Sequence, residues 1–500
     1  MSRITVALPH SLLPSFSSTL RQFIESPLVV KVFVLHAGDY QSGDPKCEGI
    51  QTDALTSGKT LNGLFKYLRT EFLLFVSQSH ELQLGQAALE RFVDVAQQTG
   101  AGLTYADYHE IKAGQRSEHP LIDYQLGSIR DGFDFGAMML FTGRAVRNAL
   151  ATYGKVANVE RAGLCDLRLK VSADHPVVHI QEYLYTKVES DLRKTGEKLF
   201  DYVDPRNRAV QVEMEKVATE HLKNIGAYLR PKFSRLPKDT EEYPVEASVV
   251  IPVRNREKTV ADAVNSVLRQ RTQFPFNIIV VDNHSTDRTG DILRELARGN
   301  SKVVHQIPLR HDLGIGGCWN EAVLSAQCGK YAVQLDSDDL YSDENTLQRV
   351  VDTFRSGNFA MVIGSYRLVD MNLQELPPGL IDHREWTPAN GRNNALRING
   401  LGAPRAFRTF LLRRMLLPNV SYGEDYAAAI RLSREYQIGR IYESLYLCRR
   451  WEGNTDAALS IERANRNDIY KDRIRTVEIM ARQQLNSRKG RKPAKNRSFR

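Results

Sequence analysis

The chain is poor in sulfur, and what sulfur it has follows no pattern. Its 500 residues include five cysteines, Cys47, Cys165, Cys318, Cys328 and Cys448. An odd, scattered set gives neither a disulfide framework nor metal-ligand spacing. It points to a reducing cytoplasm. Long apolar runs are missing as well. No stretch approaches the ~18–20 residues of a membrane span. The N-terminus, Met1-Ser-Arg-Ile-Thr-Val-Ala-Leu-Pro9, lacks a basic segment followed by a long apolar one, and reads as a first strand rather than a signal peptide. Acidic residues are missing from the last fifteen positions, Asn486 to Arg500, which hold seven Lys or Arg. The net charge of +9 therefore falls to +2 without them. This end reads as a disordered basic tail over 484–500. The tail either solubilises the chain or draws it to anionic lipid at the inner face of a membrane or to a polyanionic partner. Little that could stack on bases accompanies it, which argues against nucleic acid.

What remains is an ordinary soluble composition, too long for one core. At roughly 100–200 residues per domain the chain holds two to four domains. Strand-like runs alternate with helical stripes through both halves, so the class is α/β. Asp204-Pro205 opens a charged helix with Val210, Met214, Val217, Ala218 and Leu222 at helical spacing, closed by Gly226 and Pro231. Pro237 and Pro244 mark a linker. The expected division is a first α/β domain over 1–200, a helical linker over 201–245, a second α/β domain over 246–483, and the tail.

The second half is organised around Tyr331-Ala-Val-Gln-Leu-Asp336-Ser337-Asp338-Asp339-Leu340. A short apolar strand runs straight into three carboxylates. The strand is driven inward, whereas like charges must be solvated or neutralised. Both demands are met if the acids sit at the strand's C-terminal end beside a hard cation, which also meets phosphate oxygens. The plainer alternative is an acidic turn before a helix started by Ser342, Asp343 and Glu344. Context favours the site. Three successive strands, Ala247–Val253, Phe276–Val281 and Tyr331–Leu335, end in polar loops at Arg254-Asn255, Asp282 and Asp336. In a parallel sheet those loops share one edge.

The halves also resemble each other in order and spacing. Ile4 to Asp39 mirrors Ser248 to Asp282, and Phe72 to Asp107 mirrors Tyr331 to Asp370. Ser77-Gln-Ser-His80 stands where Asp336 to Asp339 stands in the second copy. A duplicated domain whose first copy has lost metal chemistry is the expectation; two unrelated α/β domains are the alternative.

The motifs Val249-Val-Ile-Pro-Val-Arg-Asn-Arg256, Val280-Val-Asp-Asn-His-Ser-Thr-Asp287, Leu335-Asp-Ser-Asp-Asp339 and Gly423-Glu-Asp425 together resemble the family 2 glycosyltransferases with the GT-A fold, over about 245–455. The first half looks like a degenerate copy of that fold. The resemblance implies two GT-A-like domains, the second a metal-dependent inverting glycosyltransferase. Its partners would be a nucleotide-sugar donor, UDP-linked by expectation, and a glycan or lipid-linked acceptor in polysaccharide assembly. It implies a nucleotide site at Pro252, Val253, Arg254, Asn255, Glu257, Asp282, Asp287, Asp336 and Ser337. Asp336 and Asp338 (the DXD motif) would hold Mn2+ or Mg2+. Asp425, with Glu424, would deprotonate the acceptor. A cation is needed at a diphosphate leaving group, and a poor hydroxyl nucleophile needs a base. A single base without a nucleophile implies one in-line displacement, hence inversion. Helix-start acids are the alternative for Glu424-Asp425.

Two departures stand out. Cys318-Trp319-Asn320 lacks a phosphate-facing Arg, for which Arg310 or His311 could substitute. The late loop is Arg449-Arg450-Trp451-Glu452-Gly453-Asn454. There Glu452 is a metal-side candidate, Arg449 and Arg450 diphosphate-side candidates, and Trp451 a sugar platform or a packed side chain; Asp339 of the acidic turn is a further possible site residue. Met361–Asp370 and Arg384–Asn399 are expected on the acceptor side. The other readings are a nucleotidyltransferase, disfavoured because Pro252–Arg256 has no glycine, a non-catalytic sugar- or nucleotide-binding scaffold, and a two-site polymerase kept open by Asp166.

Overall fold

A computed structural model describes residues 3–13, 15–52, 54–77, 81–188, 204–454 and 459–490. It divides into two compact units. The first comprises 1–198, 208–228 and 459–500, the second 199–207 and 229–458.

The first sheet contains β1 (Ile4–Pro9), β2 (Val29–His36), β3 (Cys47–Gln51), β4 (Phe72–Val76), β5 (Leu82–Leu84), β6 (Leu103–Lys112), β7 (Gln115–His119), β8 (Met138–Thr142) and β9 (Val177–Val188). The second contains β10 (Ala247–Val253), β11 (Phe276–Asp282), β12 (Val303–Gln306), β13 (Tyr331–Gln334), β14 (Leu340–Tyr341), β15 (Phe359–Val369), β16 (Glu375–Ile381), β17 (Arg405–Arg408) and β18 (Gln437–Arg449). The strand orders are β3-β2-β1-β4-β8-β6-β9-β5 and β12-β11-β10-β13-β17-β15-β18-β14, with β7 on β6 and β16 on β15. Each strand of the first unit has its counterpart nine places later. Register agrees as well: Tyr108 pairs with Tyr185 across β6–β9 and Tyr366 with Tyr446 across β15–β18. The internal repeat read from the sequence is thus a repeat of topology.

The central strands are buried on both faces because helices cover them. Val249, Ile251, Ile278 and Val280 on one face and Val250, Ile279 and Val281 on the other are fully buried, each contributing ~1.5–3 kcal/mol relative to exposure. Such strands read as continuous apolar runs rather than alternating ones. Since β12, β11, β10 and β13 are all parallel, the loops after β10, β11 and β13 leave from one sheet edge.

The division differs from the expected boundaries in two places. Helix Arg208–Asn224 belongs to the first unit instead of a separate linker, burying Val217, Ala218 and Leu222. The helix Ile461–Gly490 also belongs to the first unit, and it carries 484–490 within it. Its docking is ionic: Asp472 accepts from Ser128 Oγ at 2.9 Å and pairs with Arg130 at 3.2 Å and Arg475 at 2.8 Å. Arg475 and Arg482 are wholly buried. A charged helix carries no apolar stripe to announce such a contact, which is why the sequence misplaced it. Residues 491–500 of the expected tail lie outside the described residues. Among the described residues no helix is long and apolar enough to cross a membrane.

At the first unit's counterpart of the acidic turn, the Ser77 hydroxyl donates to Gly136 O at 3.3 Å; Gln78 to His80 of the expected loop lie outside the described residues. Asp166, the residue that kept a second catalytic site open, is buried and committed. Its Oδ2 meets Lys170 Nζ at 2.8 Å and accepts the Ala157 N–H at 2.8 Å.

His119 gives this unit a titration. Its ring stacks on Tyr108 at 4.4 Å, with Nδ1 3.8 Å from Glu110 and Nε2 3.4 Å from Asp134. Burial opposes the charged ring, but Asp134 and Glu110 overcome it and hold the pKa at about 9. That lies above the ~6.5 of an unfolded chain. The folded state therefore binds the extra proton. The stabilisation is complete below pH ~6.5 and is lost as pH rises towards 9. The thermal midpoint of the first unit's transition should fall across that window in a calorimetric pH series, and His119→Gln should flatten the fall.

Candidate functional site

The site is built where β10, β11 and β13 end. Register sets Val253 beside Asp282, and the two following loops interlock. Asn255, at φ +55°, accepts the Thr286 N–H on Oδ1 at 2.8 Å and donates its own N–H to Ser285 Oγ at 3.0 Å. Asp287 accepts from the Glu257 N–H at 3.2 Å and the Thr289 N–H at 3.0 Å, while Glu257 accepts the Arg288 N–H at 3.1 Å. Asp287 and Glu257 thus staple two loops together. Asp282 is buried and accepts the Ser285 N–H at 2.9 Å, with His305 Nε2 at 3.2 Å. Burial works against its charge, yet the bonds from His305 and Ser285 keep its pKa below the usual carboxylate range. Arg254 is exposed and Pro252 half-buried on the approach to this edge.

The acidic turn is held from several sides. Asp336 receives Gln334 Nε2 at 2.9 Å, and its N–H donates to the Tyr446 hydroxyl at 3.0 Å. Ser337 is buried between the acids. The contacts of Asp338 fall on Oδ2: Asn454 Nδ2 at 3.2 Å, Trp451 Nε1 at 3.3 Å and Arg256 Nε at 3.7 Å. Asp339 is buried and accepts the Arg449 N–H at 2.7 Å; the Arg449 guanidinium bonds Asp338 O and reaches Asp262 at 3.0 Å. The late loop arrives here because β14 pairs antiparallel with β18, Leu340 opposite Leu447.

Helix Glu424–Glu435 brings the second acidic pair. Its cap Gly423 sits at φ +81°, which favours glycine. The glycine-rich entry Leu313–Gly317 reads as close packing: a Cβ on Gly316 would lie 1.9 Å from Pro418 O and 3.0 Å from the Glu424 Cβ. Between the acid groups stands Arg405, the first residue of β17. Antiparallel pairing on β13 sets its N–H 3.2 Å from Gln334 Oε1, and its Nη1 lies 2.8 Å from Asp425 Oδ2.

The electrostatics are those of crowded, dehydrated carboxylates. Burial raises the Asp336 pKa, Arg405 opposes the rise and Asp338 adds to it. Burial and then Asp338 and Asp336 raise Asp339 well above its ordinary value. Burial, followed by Asp425, pushes Glu424 up to about 8, and its Oε2 is buried without a hydrogen-bond partner. Such a set fits a divalent cation. Magnesium-type sites use only one or two protein carboxylates, the rest being water and phosphate. Among the described residues no three His, Cys, Asp or Glu side chains form an all-protein metal cage.

Arg450 donates its N–H to Val369 O at 2.7 Å, and Glu452 is exposed with no contact to Asp338 among the described residues. Arg310 pairs with its neighbour Asp312 at 2.6 Å, while His311 stacks on His284 at 3.9 Å. Met361, Val362 and Ile363, at the start of the segment expected on the acceptor side, are wholly buried core of β15. Sequence reading missed Arg405, Arg256, His305, Tyr446 and Asn454. Arg256 and Asn454 lay inside quoted motifs; Arg405, His305 and Tyr446 carried no motif and are recruited by strand register alone.

Arg405 carries a prediction. Arg405→Met removes the ion pair of Asp425 and the positive charge beside Asp336, and should destabilise the protein by about 2–4 kcal/mol, short of a fully buried pair because a fifth of the Arg405 side chain and 24% of Asp425 are exposed. Urea unfolding monitored by fluorescence would measure it, with Arg405→Lys retaining part of the loss.

Part of this chain is similar to known glycosyltransferases. Residues 248–420 match the family described as glycosyl transferase family 2. An uncharacterized glycosyltransferase of Nostoc sp. is 30% identical over 128 residues, 26% of this chain and 38% of the relative. A poly(ribitol-phosphate) beta-glucosyltransferase of Bacillus spizizenii is 25% identical over 41% of this chain and 33% of its own length. An Escherichia coli UDP-Glc:alpha-D-GlcNAc-diphosphoundecaprenol beta-1,3-glucosyltransferase is 27% identical over 25% of this chain and 47% of its own length. The chain thus spans less than half the length of these relatives. Among solved structures, S. aureus TarS 1-349 in complex with UDP-GlcNAc aligns at 21% identity and a TM-score of 0.36, over 49% of this chain and 74% of that one. The α/β class and the family expected from the motifs both hold, and the second unit contains a glycosyl transferase family 2 domain.

Proposed function

We propose that the second unit transfers a sugar from a nucleoside-diphosphate donor, UDP-linked, to an acceptor hydroxyl of a glycan or lipid-linked glycan in cytoplasmic polysaccharide assembly. The observation that carries the reading is the grouping of Asp336, Glu424 and Asp425 around Arg405 at the edge of a family 2 domain. The Val253–Asp282 edge takes the base and ribose. Asp336 and Asp338 would hold a Mn2+ or Mg2+ ion, which would supply positive charge for the departing diphosphate. Arg256 and Arg449 add fixed positive charge beside the same turn. Asp425, oriented by Arg405, takes the acceptor proton. Glu424, protonated at neutral pH, stays beside it as an uncharged acid. With no carboxylate assigned as nucleophile, attack is a single displacement that inverts the anomeric carbon. The first unit, with Asp166 committed to Lys170, takes no part in transfer.

Incubation with Mn2+ and a panel of UDP-, GDP- and dTDP-sugars, reading released nucleoside diphosphate, tests this. Metal-dependent release from a UDP-sugar is expected. No release, together with no metal-dependent nucleotide binding by calorimetry, would leave a sugar-binding scaffold as the surviving reading.

A further inference from the structure

The first unit has a cleft of about 990 Å³ that the proposed transfer does not use. This is at the upper end of the ~300–1,000 Å³ of ligand sites. One wall is the β6–β7 hairpin, with Tyr108, Glu110 and Glu118. The other is the start of helix Ile461–Gly490, with Glu462 and Asp468. That helix lies outside the family match at 248–420, so the cleft exists only because the chain returns to its first unit.

The chemistry of the lining selects a ligand class. Its lining mixes acids and bases, with Lys112, Arg130, His119 and Lys187 beside Glu110, Glu118, Asp134, Glu462 and Asp468. Several are matched within the wall: Arg130 meets Asp468 at 3.1 Å, and His119 lies between Glu110 and Asp134. A phosphate or nucleotide entering here would meet at least as many carboxylates as cations. A neutral, hydroxyl-rich molecule can donate to the carboxylates and accept from the Lys and Arg groups at once. The lining is also held in place, since Tyr108 is stacked on His119 and has Lys187 Nζ 5.0 Å from its ring centre. A pre-ordered lining loses little entropy on binding.

We propose that this cleft binds a neutral glycan segment, so that the first unit is a carbohydrate-binding module. Its service as a hold on the acceptor rests on the transferase reading above; the binding itself does not.

The experiment is calorimetric titration of the full-length protein with maltohexaose, cellohexaose and chitohexaose, and with inorganic pyrophosphate. Saturable binding of at least one hexasaccharide is expected, unchanged by UDP with Mn2+. It should weaken at least tenfold in Glu118→Ala/Glu462→Ala, whose side chains are exposed and whose loss spares the core, and in Glu110→Gln. Three outcomes overturn the proposal: no saturable binding of any hexasaccharide, binding indifferent to both variants, or pyrophosphate binding that the variants abolish. A parallel UDP–Mn2+ titration reports on the second unit alone. Glycan binding lost with UDP binding intact would sink this inference only; the reverse would sink only the transferase reading.

Discussion

Asp338→Ala should abolish metal-dependent UDP binding and lower donor turnover by about 10²–10³-fold, the scale of removing one preorganised charge partner at a reacting centre. The fold should survive. Asp338 is partly solvent-accessible, and its contacts come from side chains on Arg256, Trp451 and Asn454 rather than from core. Its loss relieves Asp336 and Asp339 of a like charge, so stability should hold or rise while activity collapses. Calorimetry of UDP with and without Mn2+, beside a thermal melt, separates the two. Unchanged metal-dependent UDP binding in the variant would remove Asp338 from the cation site. Asp339→Asn is the contrasting variant. Asp339 accepts the Arg449 N–H at 2.7 Å in a buried setting, so its change should cost stability first and nucleotide binding second.

Asp425→Asn should cut transfer to an acceptor by about 10²–10⁴-fold, the usual contribution of a positioned base. UDP–Mn2+ affinity should stay within a few fold, because Asp425 faces Arg405 and not the interlocked loops of Asp282 and Asp287. The loss should appear in kcat at saturating donor. Glu424→Gln offers the control. Glu424 is already pushed up to about 8 and so carries its proton at neutral pH. A neutral isostere should change transfer far less at pH 7 than at pH 9. A Glu424→Gln variant as damaged as Asp425→Asn at pH 7 would make Glu424 the base instead.

The motif-bearing loops were legible because their chemistry is local. Asp282, Asp336 and Asp338 each follow an apolar strand within a few residues, and a buried strand that ends in charge can only end at an edge. The repeat was legible for a related reason: strand, turn and helix lengths survive even where side chains diverge, as at Ser77. The functional assignments within the loops were less so. Asp287 and Glu257, expected as nucleotide contacts, both accept backbone N–H groups across a loop pair in the structure. A carboxylate looks the same in sequence whether it meets a ligand or a backbone.

By itself, the sequence determined the α/β class, the repeat of topology, the family of the second half and the three strand ends that meet. These follow from periodicity and from residues adjacent in the chain. Tertiary structure alone decided that Arg405 stands between the two acid pairs, that Tyr446 holds the acidic turn, and that helix Ile461–Gly490 returns to the first unit. Those facts rest on strand register and on buried ion pairs such as Asp472 with Arg130. Register is fixed only when a strand finds its neighbour, and charges enter a core only when their partners, hundreds of residues away, are already in place.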